Sequence, residues 1–540
     1  MIEAPRPPSA ETIAQYRREG YWSDRTFADI LEARATATPG REAMADERRR
    51  ISYGALFAEV KRFAEFLRRQ GVGRGDVVTL QLPNRIEFPV VFFALELIGA
   101  VANKISADFR AVEVEYILRF SNTKAYVCAS AFRGFDFLEM IEGLRPRLPG
   151  LALVVCVDDV ERDGVTSFAK VVNATPEIAA ADRVRMSALE VMRMCFTSGT
   201  TGNPKGVLHC FNTTLWAAQL FNEQLGVTED DVMLGFLPVG LNWGYLNLVQ
   251  SVMAGARILM IERFNAAAVL DLIDREKITY IPTPPAAIVA LLNAPELKQH
   301  SLASLRIMIT GGASAAVETI KAFQEAVPKA MLIELYGMLE TGFHSITRPE
   351  DDPLKVNGTV GRAMPSMGLR IIDDEGRDVA HGEIGEIAAL GPSVHIGYLN
   401  NPEANRDSFT ADGWFRSGDL GQFVDADFNV RISGRKKEII NRGGKKYFPR
   451  EIEELLYEHS RIVQVAVVGV PDRRLGERNC LCVVLKPGAT LTLDEVTAFL
   501  KGRVADYKLP EKLVVMTEFP MTPTGKIRRP ALVQQVGSDR

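Results

Sequence analysis

The chain has 540 residues, of which 47% are hydrophobic and 24% are charged, and its formal net charge is −4. This balance is typical of globular proteins that bury a large core, and the length predicts several packed units. The small negative charge offers no basic surface of the kind that binds nucleic acid or an anionic membrane, so the sequence argues against both partners.

The N-terminal stretch "MIEAPRPPSAETIAQYRREGYW" has no apolar centre and therefore does not resemble a signal peptide. The most apolar run, "FPVVFFALELIGAVA", begins at Phe88, but it is short and contains Glu96. We interpret it as a buried helix and not as a membrane span.

Most of the six cysteines lie inside apolar runs, which is typical of buried thiols in a reducing compartment. We therefore expect a cytoplasmic protein. The spacing of the close pair, Cys480 and Cys482, fits one face of a strand better than a zinc site. The six histidines show no cluster with metal-ligand spacing.

Buried strands alternate with amphipathic helices along most of the chain. Apolar runs predict strands at 77–82, 125–129, 151–157, 256–261, 278–282, 305–310 and 331–335. Apolar residues at helical spacing predict helices in "YGALFAEVKRFAEFLRRQG" and "AAVETIKAFQEAV". The alternation predicts an α/β fold with a large N-terminal domain of parallel or mixed sheets covered by helices.

The pattern changes after about residue 380, where glycine turns separate the strand-like runs "GEIGEIAALG", "VRISGR", "VQVAVVGV" and "CLCVVL". Helices are predicted in "PREIEELLYEH" and "LDEVTAFLKGRV". We predict a small α+β C-terminal domain and place the junction in "GRKKEIINRGGKK", which gives domains at 1–436 and 437–540.

The stretch "FTSGTTGNPKGV" (196–207) follows a predicted strand and combines glycine, hydroxyl and lysine residues. Its glycines let backbone amides turn inward, and its hydroxyl and ammonium groups suit the oxygens of a polyphosphate. The spacing is not that of a Walker loop. The polar groups available to a nucleotide are those of Thr197, Ser198, Gly199, Thr200, Thr201, Gly202 and Lys205.

This string closely resembles the phosphate-binding signature of the acyl-adenylate-forming superfamily, which includes acyl-CoA synthetases, adenylation domains of peptide synthetases, and luciferases. Further signatures follow in the family's order and extend the resemblance over almost the whole chain. They are "YGMLET" (336–341), "WFRSGDLG" (414–421), "GRKKEIINRGGKK" (434–446) and "PTGKIRR" (523–529). The resemblance implies ATP, Mg²⁺ and coenzyme A as cosubstrates and cofactor.

The resemblance also implies roles for single residues. Asp419 and Arg435 would contact the ribose, the former by accepting both hydroxyls on its carboxylate. Tyr336 would offer its ring to adenine beside the backbone of Leu335, with Gly312 and Ala313 in the same nucleotide site. Glu340 would be the catalytic carboxylate on the magnesium side. The family's threonine before that glutamate is Leu339 here, so one phosphate-contacting hydroxyl is missing.

A carboxylate is already a nucleophile at pH 7, so the chemistry chiefly requires positive charge directed at the α-phosphate. Lys526, in the exposed loop "PMTPTGKIRR", is the predicted catalytic lysine. In the family the C-terminal domain rotates between two half-reactions, and the matching hinge residue is Lys437. Gly443 and Gly444 would then let a pantetheine arm pass close to backbone, although a plain glycine turn is the alternative.

The acid site is predicted in "LPVGLNWGYLN" (237–247) and at Gly311 of "TGGAS". Asn242 matches an asparagine that faces the ortho hydroxyl in dihydroxybenzoate- and salicylate-activating ligases. Trp243 and Tyr245 offer flat surface for an aromatic or alicyclic ring, or are simply core aromatics. The subgroup's histidine is Leu241 here, which makes a catechol less suitable.

The first hypothesis is therefore an ATP-dependent acid–CoA ligase acting on a ring-bearing carboxylate. The alternatives are a stand-alone ligase that loads a carrier protein in trans, a catalytically silent nucleotide-binding regulator, and a luciferase-like oxidase. Lys526, Glu340 and Asp419 together argue against the regulator, and the motifs offer no positive support for the oxidase. The sequence leaves open the acid, the acceptor and whether the chain forms a homodimer.

Overall fold

A computed structural model describes residues 2–197, 204–312, 315–472, 474–521 and 527–537. Their α-helices are α1 Ala10–Arg18, α2 Phe27–Ala37, α3 Tyr53–Arg69, α4 Glu87–Leu97, α5 Ala111–Phe120, α6 Phe137–Leu144, α7 Phe168–Ala174, α8 Phe211–Leu225, α9 Asn242–Ala254, α10 Ala266–Glu276, α11 Pro285–Leu292, α12 Val317–Ala326, α13 Pro402–Asp407, α14 Pro449–Tyr457, α15 Leu493–Leu500 and α16 Arg529–Gly537.

The strands up to residue 346 are β1 Glu42–Ala45, β2 Arg50–Ser52, β3 Val77–Gln81, β4 Val101–Lys104, β5 Thr123–Cys128, β6 Ala131–Phe132, β7 Phe135–Asp136, β8 Leu153–Cys156, β9 Thr166–Ser167, β10 Val191–Phe196, β11 Gly206–Cys210, β12 Val232–Gly235, β13 Arg257–Met260, β14 Tyr280–Thr283, β15 Ile307–Gly311, β16 Met331–Met338 and β17 Gly342–Ile346. The later strands are β18 Arg362–Ala363, β19 Gly368–Ile372, β20 Gly385–Leu390, β21 Phe415–Phe423, β22 Val430–Arg435, β23 Ile440–Arg442, β24 Lys445–Tyr447, β25 Ile462–Asp472, β26 Gly476–Leu485 and β27 Lys512–Met516.

These elements confirm the α/β fold and every strand and helix predicted above. The apolar run from Phe88 begins one residue inside α4, and all residues of that helix are buried. The helix ends at Leu97, and the last two residues of the run, Val101 and Ala102, belong to β4. In the part of the chain that the structure describes, no helix combines the length and apolar character needed to cross a bilayer. All six cysteines are buried and free, as expected.

The chain divides into two compact units. The first contains the chain up to Thr197, Pro204–Gly368 and Leu390–Ser408, and the second contains Leu369–Ala389 and the chain from Phe409 onward. The second unit therefore begins before the predicted boundary at 436/437, because β19 to β22 form one sheet within it. The predicted boundary concerns a hinge and stays a prediction.

The first unit contains two mixed sheets and the short two-stranded sheet β6–β7. One mixed sheet has the strand order β18-β17-β16-β15-β14-β12-β13-β1-β2, and the other has the order β11-β10-β4-β3-β5-β8-β9. Strands β13, β12, β14, β15 and β16 run parallel, as do β10, β4, β3, β5 and β8. A large apolar core includes residues of α3, α4, α8 and α9, where α3 packs on α4 and α8 on α9.

The second unit contains two smaller sheets, with orders β19-β20-β21-β22 and β24-β23-β26-β25, and β27 pairs with β26 in the latter. Helix α14 packs on β25, and apolar residues of α14, α15, β25 and β26 form a separate core. Cys480 and Cys482 lie two residues apart on β26 in another small core, on one face of the strand as predicted.

The side chain of Asn84 links the two sheets of the first unit. Its Nδ2 lies 3.1 Å from each of three carbonyl oxygens, those of Gly235, Leu237 and Ile261, while its Oδ1 accepts from the Val239 amide at 2.9 Å. Asn84 follows β3, whereas its partners lie at the end of β12 or follow β12 and β13. One buried amide therefore fixes the segment that leads from β12 to α9 against the neighbouring sheet.

We predict that Asn84→Ala destabilises the first unit by at least ~2 kcal/mol, because buried carbonyl and amide groups lose their partners. The thermal midpoint should fall by several degrees. The control is Asn293→Ala, at an exposed position where, among the described residues, Nδ2 donates to the Val289 carbonyl alone. Equal midpoints for the two variants would show that Asn84 does not hold the sheets together.

Candidate functional site

The candidate site of the first unit lies where parallel strands end. Thr197 follows β10, Gly311 ends β15, Met338 ends β16, and Asn242 begins α9 seven residues after β12. In open α/β sheets ligands bind at the carboxyl ends of strands, where the connecting loops converge. Several of the predicted acid and nucleotide residues of this unit therefore lie at or just after strand ends of that kind.

Part of the predicted phosphate loop lies outside the residues that the structure describes. Ser198, Gly199, Thr200, Thr201 and Gly202 lie outside the described residues, as do Ala313 and Lys526. The two ends of the loop are described: the Thr197 amide donates to the Lys205 carbonyl at 3.0 Å, and the Lys205 amide donates to the Thr197 hydroxyl at 3.1 Å. The side chain of Thr197 therefore closes the base of the loop.

Glu340 lies in a cluster with Tyr398 and Lys205. The Tyr398 hydroxyl donates to Glu340 Oε1 at 3.1 Å, and the Nζ of Lys205 lies 4.8 Å from the centre of the Tyr398 ring. The Glu340 carbonyl accepts from the His395 amide at 2.7 Å. Burial, and next the Glu340 carboxylate, raise the pKa of Tyr398, so this phenol remains a hydrogen-bond donor at neutral pH.

A half-buried carboxylate in this position fits Mg²⁺, which binds proteins through one or two carboxylates together with substrate phosphates. Lys205 adds positive charge to the same cluster. Among the described residues there is no group of three or more His, Cys, Asp or Glu side chains that could hold a metal ion by itself.

His209 holds the backbone at Leu339, where the family's threonine is missing. Its Nε2 donates to the Leu339 carbonyl at 2.8 Å, and its Nδ1 lies 3.0 Å from the Thr213 hydroxyl. Burial, and next the positive charge of Arg193, lower the pKa of His209 well below its usual value, so the ring is neutral. The neutral ring positions the turn before Glu340 and supplies no positive charge there.

The predicted acid residues Gly311 and Trp243 are in contact, beside Leu335. Gly311 pairs with Leu335 across β15 and β16. A Cβ atom at Gly311 would lie 2.8 Å from the Leu335 carbonyl oxygen and 3.3 Å from Cη2 of Trp243. Position 311 therefore requires glycine, because any side chain would displace the indole ring or the neighbouring strand.

Two buried polar atoms lie at the start of α9. The Nδ2 of Asn242 donates to the Met338 carbonyl at 3.3 Å, whereas its Oδ1 is buried and accepts no hydrogen bond from any residue that the structure describes. The buried Nε1 of Trp243 likewise has no acceptor within the described ranges. This segment thus presents one unused acceptor and one unused donor.

The remaining predicted residues of the first unit differ in burial. Tyr336 is half-buried, with its ring centre 6.1 Å from that of His344, and Gly312 is exposed with a φ of 84°. Tyr245 is fully buried against Phe92, with ring centres 5.0 Å apart, which is the environment of a core aromatic. Its predicted contact with the acid stays a prediction.

The second unit holds the predicted ribose pair. Asp419 of β21 and Arg435 of β22 are register partners, and Nε of Arg435 lies 3.1 Å from Oδ1 of Asp419. The Asp419 amide donates to the Ser417 hydroxyl at 3.0 Å. The two residues that the family resemblance assigns to one sugar are therefore neighbours in this structure.

Gly443 and Gly444 form the two-residue turn between β23 and β24, with φ values of 59° and 83°. Such a turn requires positive φ at both positions, so the plain-turn interpretation accounts for the glycines without a ligand. Both residues are exposed, which leaves the backbone accessible to a pantetheine arm. Lys437 is also exposed, in the short 3₁₀ turn Lys436–Glu438.

Sequence reasoning missed Tyr398, His209 and His395. Tyr398 contacts Glu340 across 58 positions of the chain, and His209 contacts Leu339 across 130. No motif or spacing relates them, because a contact between distant segments arises only when the strands are assembled.

Residues 31–399 match the family model of the AMP-binding enzyme, and residues 451–526 match the AMP-binding enzyme C-terminal domain. A medium-chain fatty-acid–CoA ligase of Escherichia coli K12 is 32% identical over 521 residues, covering 96% of this chain and 91% of that protein. A 2,3-dihydroxybenzoate–AMP ligase of Bacillus subtilis is 30% identical over 543 residues, covering 99% and 98%.

Among solved structures, the anthranilate–CoA ligase AuaEII in complex with anthranoyl-AMP superposes with a TM-score of 0.86. It is 26% identical in sequence, and the match covers 95% of this chain and 98% of that one. The likeness therefore extends over both units of the chain.

Proposed function

The chain belongs to the AMP-binding enzyme family, and we propose that it is an ATP-dependent acid–CoA ligase. It activates a carboxylic acid to an acyl-adenylate with release of pyrophosphate, and then transfers the acyl group to the thiol of coenzyme A. The observation that carries this proposal is the arrangement of the first unit. Glu340 and Lys205 form one cluster with Tyr398, and Thr197 closes the base of the loop, while Asn242 and Gly311 lie after or at the ends of strands of the neighbouring sheet.

The first half-reaction brings an anionic carboxylate to an anionic α-phosphate. The acid is already ionised at neutral pH, so the protein needs no general base. It must instead position the two reactants in line and stabilise the charge that develops as pyrophosphate leaves. Lys205 and Glu340 hold the phosphate end of the nucleotide in this proposal, and bound Mg²⁺ would neutralise phosphate charge there.

Lys526 supplies the charge at the α-phosphate in the proposed reaction. Its loop resembles the C-terminal lysine loop of the family, and an ammonium group is a compact charge on a flexible stem. Asp419 holds the ribose in this proposal, with Arg435 beside it. The 3.1 Å ion pair between them supports this role, because it fixes the orientation of the carboxylate before the ribose binds. Tyr336 offers its ring to the adenine base.

The second half-reaction requires a different arrangement of catalytic groups. We assign the change to a rotation about Lys437, which would separate an N-terminal part, 1–436, from a mobile C-terminal part, 437–540. The exposed backbone of Gly443 and Gly444 is then available to the pantetheine arm of coenzyme A. A carrier protein bearing the same pantetheine group is the alternative acceptor, and a homodimer is compatible with either.

The acid in this proposal carries a ring with an ortho hydroxyl. The buried Oδ1 of Asn242 supports this choice, because an acceptor without a donor costs free energy that a phenolic hydroxyl would recover. The ring would lie against Trp243 and the glycine at 311. Leu241 offers no polar atom to a second adjacent hydroxyl.

We predict that Lys526→Ala slows adenylation by at least ~100-fold, the usual scale for loss of a group that stabilises transition-state charge. The measurement is pyrophosphate release with a saturating acid. Thioester formation from supplied acyl-adenylate should survive much better, and Arg528→Ala, a neighbouring exposed cation, serves as the control. Equal loss in both half-reactions would contradict the assignment.

We predict that Lys437→Pro spares pyrophosphate release but blocks thioester formation, because proline fixes φ and stiffens the proposed hinge. Lys437→Ala is the matched control, since it removes the same side chain and keeps the backbone free. Unchanged overall turnover of the proline variant would place the rotation axis elsewhere.

We predict that the enzyme favours salicylate over benzoate by about 5- to 150-fold in kcat/KM, the range expected when a buried polar group gains a partner. Asn242→Ala should reduce this ratio and leave the KM for ATP near the wild-type value. A wild-type preference for benzoate, cyclohexane carboxylate or a fatty acid would refute this role of Asn242, but the ligase proposal would stand. Parallel assays with and without coenzyme A identify the acceptor.

A further inference from the structure

Two cationic side chains, Lys104 and Arg193, are buried on one face of the sheet that contains β4 and β10. Lys104 is 0% exposed and Arg193 is 1% exposed. The parallel register pairs Arg193 with Ala102 and Cys195 with Lys104, so the side chains of Lys104, Arg193 and Cys195 all point to the same face. Fully buried lysine and arginine are rare unless an anion accompanies them.

The ring of Tyr245 on α9 lies beside both cations. The Nζ of Lys104 is 4.9 Å, and the Cζ of Arg193 is 4.8 Å, from the centre of that ring. Cation–π contacts stabilise such groups, but by less than the cost of removing two like charges from water. Burial raises the pKa of the Tyr245 phenol, so it stays neutral and is not a counter-ion.

The described residues supply no carboxylate to these cations. The Nε of Arg193 donates to the Thr214 hydroxyl at 3.1 Å, but neither its Nη1 nor the Nζ of Lys104 has an acceptor within the described ranges. Burial lowers the pKa of Lys104 to about 8; the neighbouring Cys195 thiol opposes this shift, and Arg193 adds to it.

Glu96 is the acidic residue that, after burial, helps to raise the pKa of Tyr245. Both of its carboxyl oxygens accept from the Ala28 amide, at 2.9 and 3.0 Å, and burial raises its pKa to about 8. It therefore caps the start of α2 and is largely protonated at neutral pH, so it is no counter-ion for the cations.

The cations adjoin the segment that we assign to the acid. The Sγ of Cys195 contacts the Gly240 carbonyl at 3.7 Å, two residues before Asn242. Tyr245 lies three residues after Asn242, about 4.5 Å further along the helix. Arg193 lies four residues before Thr197, about 13 Å back along an extended strand. A substrate group bound by Lys104 and Arg193 would therefore be distant from the substrate carboxyl that reacts with ATP.

We propose that Lys104 and Arg193 bind a second carboxylate at the far end of the substrate, so that the enzyme acts on dicarboxylic acids. The inference rests on the proposed ligase function and extends it to the class of substrate. A carboxylate matches the donors of a guanidinium and an ammonium and supplies the negative charge that both lack. The hydroxyl proposed to face Asn242 is a separate feature of the same substrate.

The test compares each monocarboxylic acid with a dicarboxylic acid that carries one further carboxyl group at its far end. The two pairs are octanoate with octanedioate, and 3-phenylpropanoate with 3-(4-carboxyphenyl)propanoate, assayed by pyrophosphate release. We expect wild type to favour the diacid of at least one pair by ~10-fold or more in kcat/KM. Arg193→Met and Lys104→Met should each lower that ratio ~10-fold or more, because each removes one partner of a buried charge pair.

Folding and binding are followed separately by thermal denaturation. Replacement of an unpaired buried charge by a methionine of similar length is expected to leave the midpoint unchanged or higher. The preferred diacid alone should raise the midpoint of wild type but not of Arg193→Met. Arg119→Met, which removes an exposed arginine of α5, is the control and should behave as wild type in both measurements.

The outcomes separate this inference from the proposed function. A wild-type preference for monocarboxylic acids, or no midpoint shift with any diacid, overturns the dicarboxylate site and leaves the ligase intact. Absence of pyrophosphate release with every acid overturns the ligase proposal. In that case the dicarboxylate site is tested by thermal denaturation alone, through the midpoint shift that a diacid causes in wild type and its loss in Arg193→Met.

Discussion

Parallel strands end at a common edge of their sheet, and the candidate site of the first unit depends on this constraint. Strands β12, β14, β15 and β16 run in one direction, so the loops that follow them converge. The glycine at 311 lies at such an end, and the acid segment at Asn242 and the turn before Glu340 follow such ends. Asn84 then fixes the acid segment against the second sheet through a single buried amide.

Close backbone approach is the second requirement, and it is met by glycine. At Gly311 a side chain would meet the Leu335 carbonyl and the Trp243 ring, and at Gly337 a Cβ atom would lie 2.2 Å from the Gly342 carbonyl oxygen. The first position keeps the indole in place. The second permits the close β16–β17 pairing, which runs from Leu335 opposite Ile346 to Met338 opposite Gly342, next to the turn that contains Glu340. The glycines thus set the dimensions of the site.

The charged groups around Glu340 and those around Tyr245 differ in whether the protein itself supplies their partners. Around Glu340, the phenol of Tyr398 and the nearby Lys205 give the carboxylate a donor and a neighbouring cation. Around Tyr245, two cations are buried without a carboxylate among the described residues. In the first cluster the protein supplies both the negative and the positive group. In the second the protein supplies only the cations, and in our proposal a ligand carboxylate supplies the negative charge.

The sequence by itself determined the fold class and the reaction class, because both can be predicted from short runs of neighbouring residues. Strands such as Val77–Gln81 and Ile307–Gly311 were predictable from continuous apolar runs, and the family from five ordered motifs whose residues are close neighbours in the chain. The glycine turn at 443–444 was likewise predictable, since a two-residue hairpin turn requires positive φ at both positions and glycine adopts it readily.

Only the tertiary structure decided which distant residues meet. It brought Tyr398 into contact with Glu340 and His209 into contact with the Leu339 carbonyl, and it placed Tyr245 beside Lys104 and Arg193. It also grouped β19 to β22 in one sheet of the second unit, where the sequence suggested a boundary at 436/437. The physical reason is that side-chain burial and pairing depend on how sheets assemble, and no period or motif along the chain encodes contacts between segments far apart in sequence.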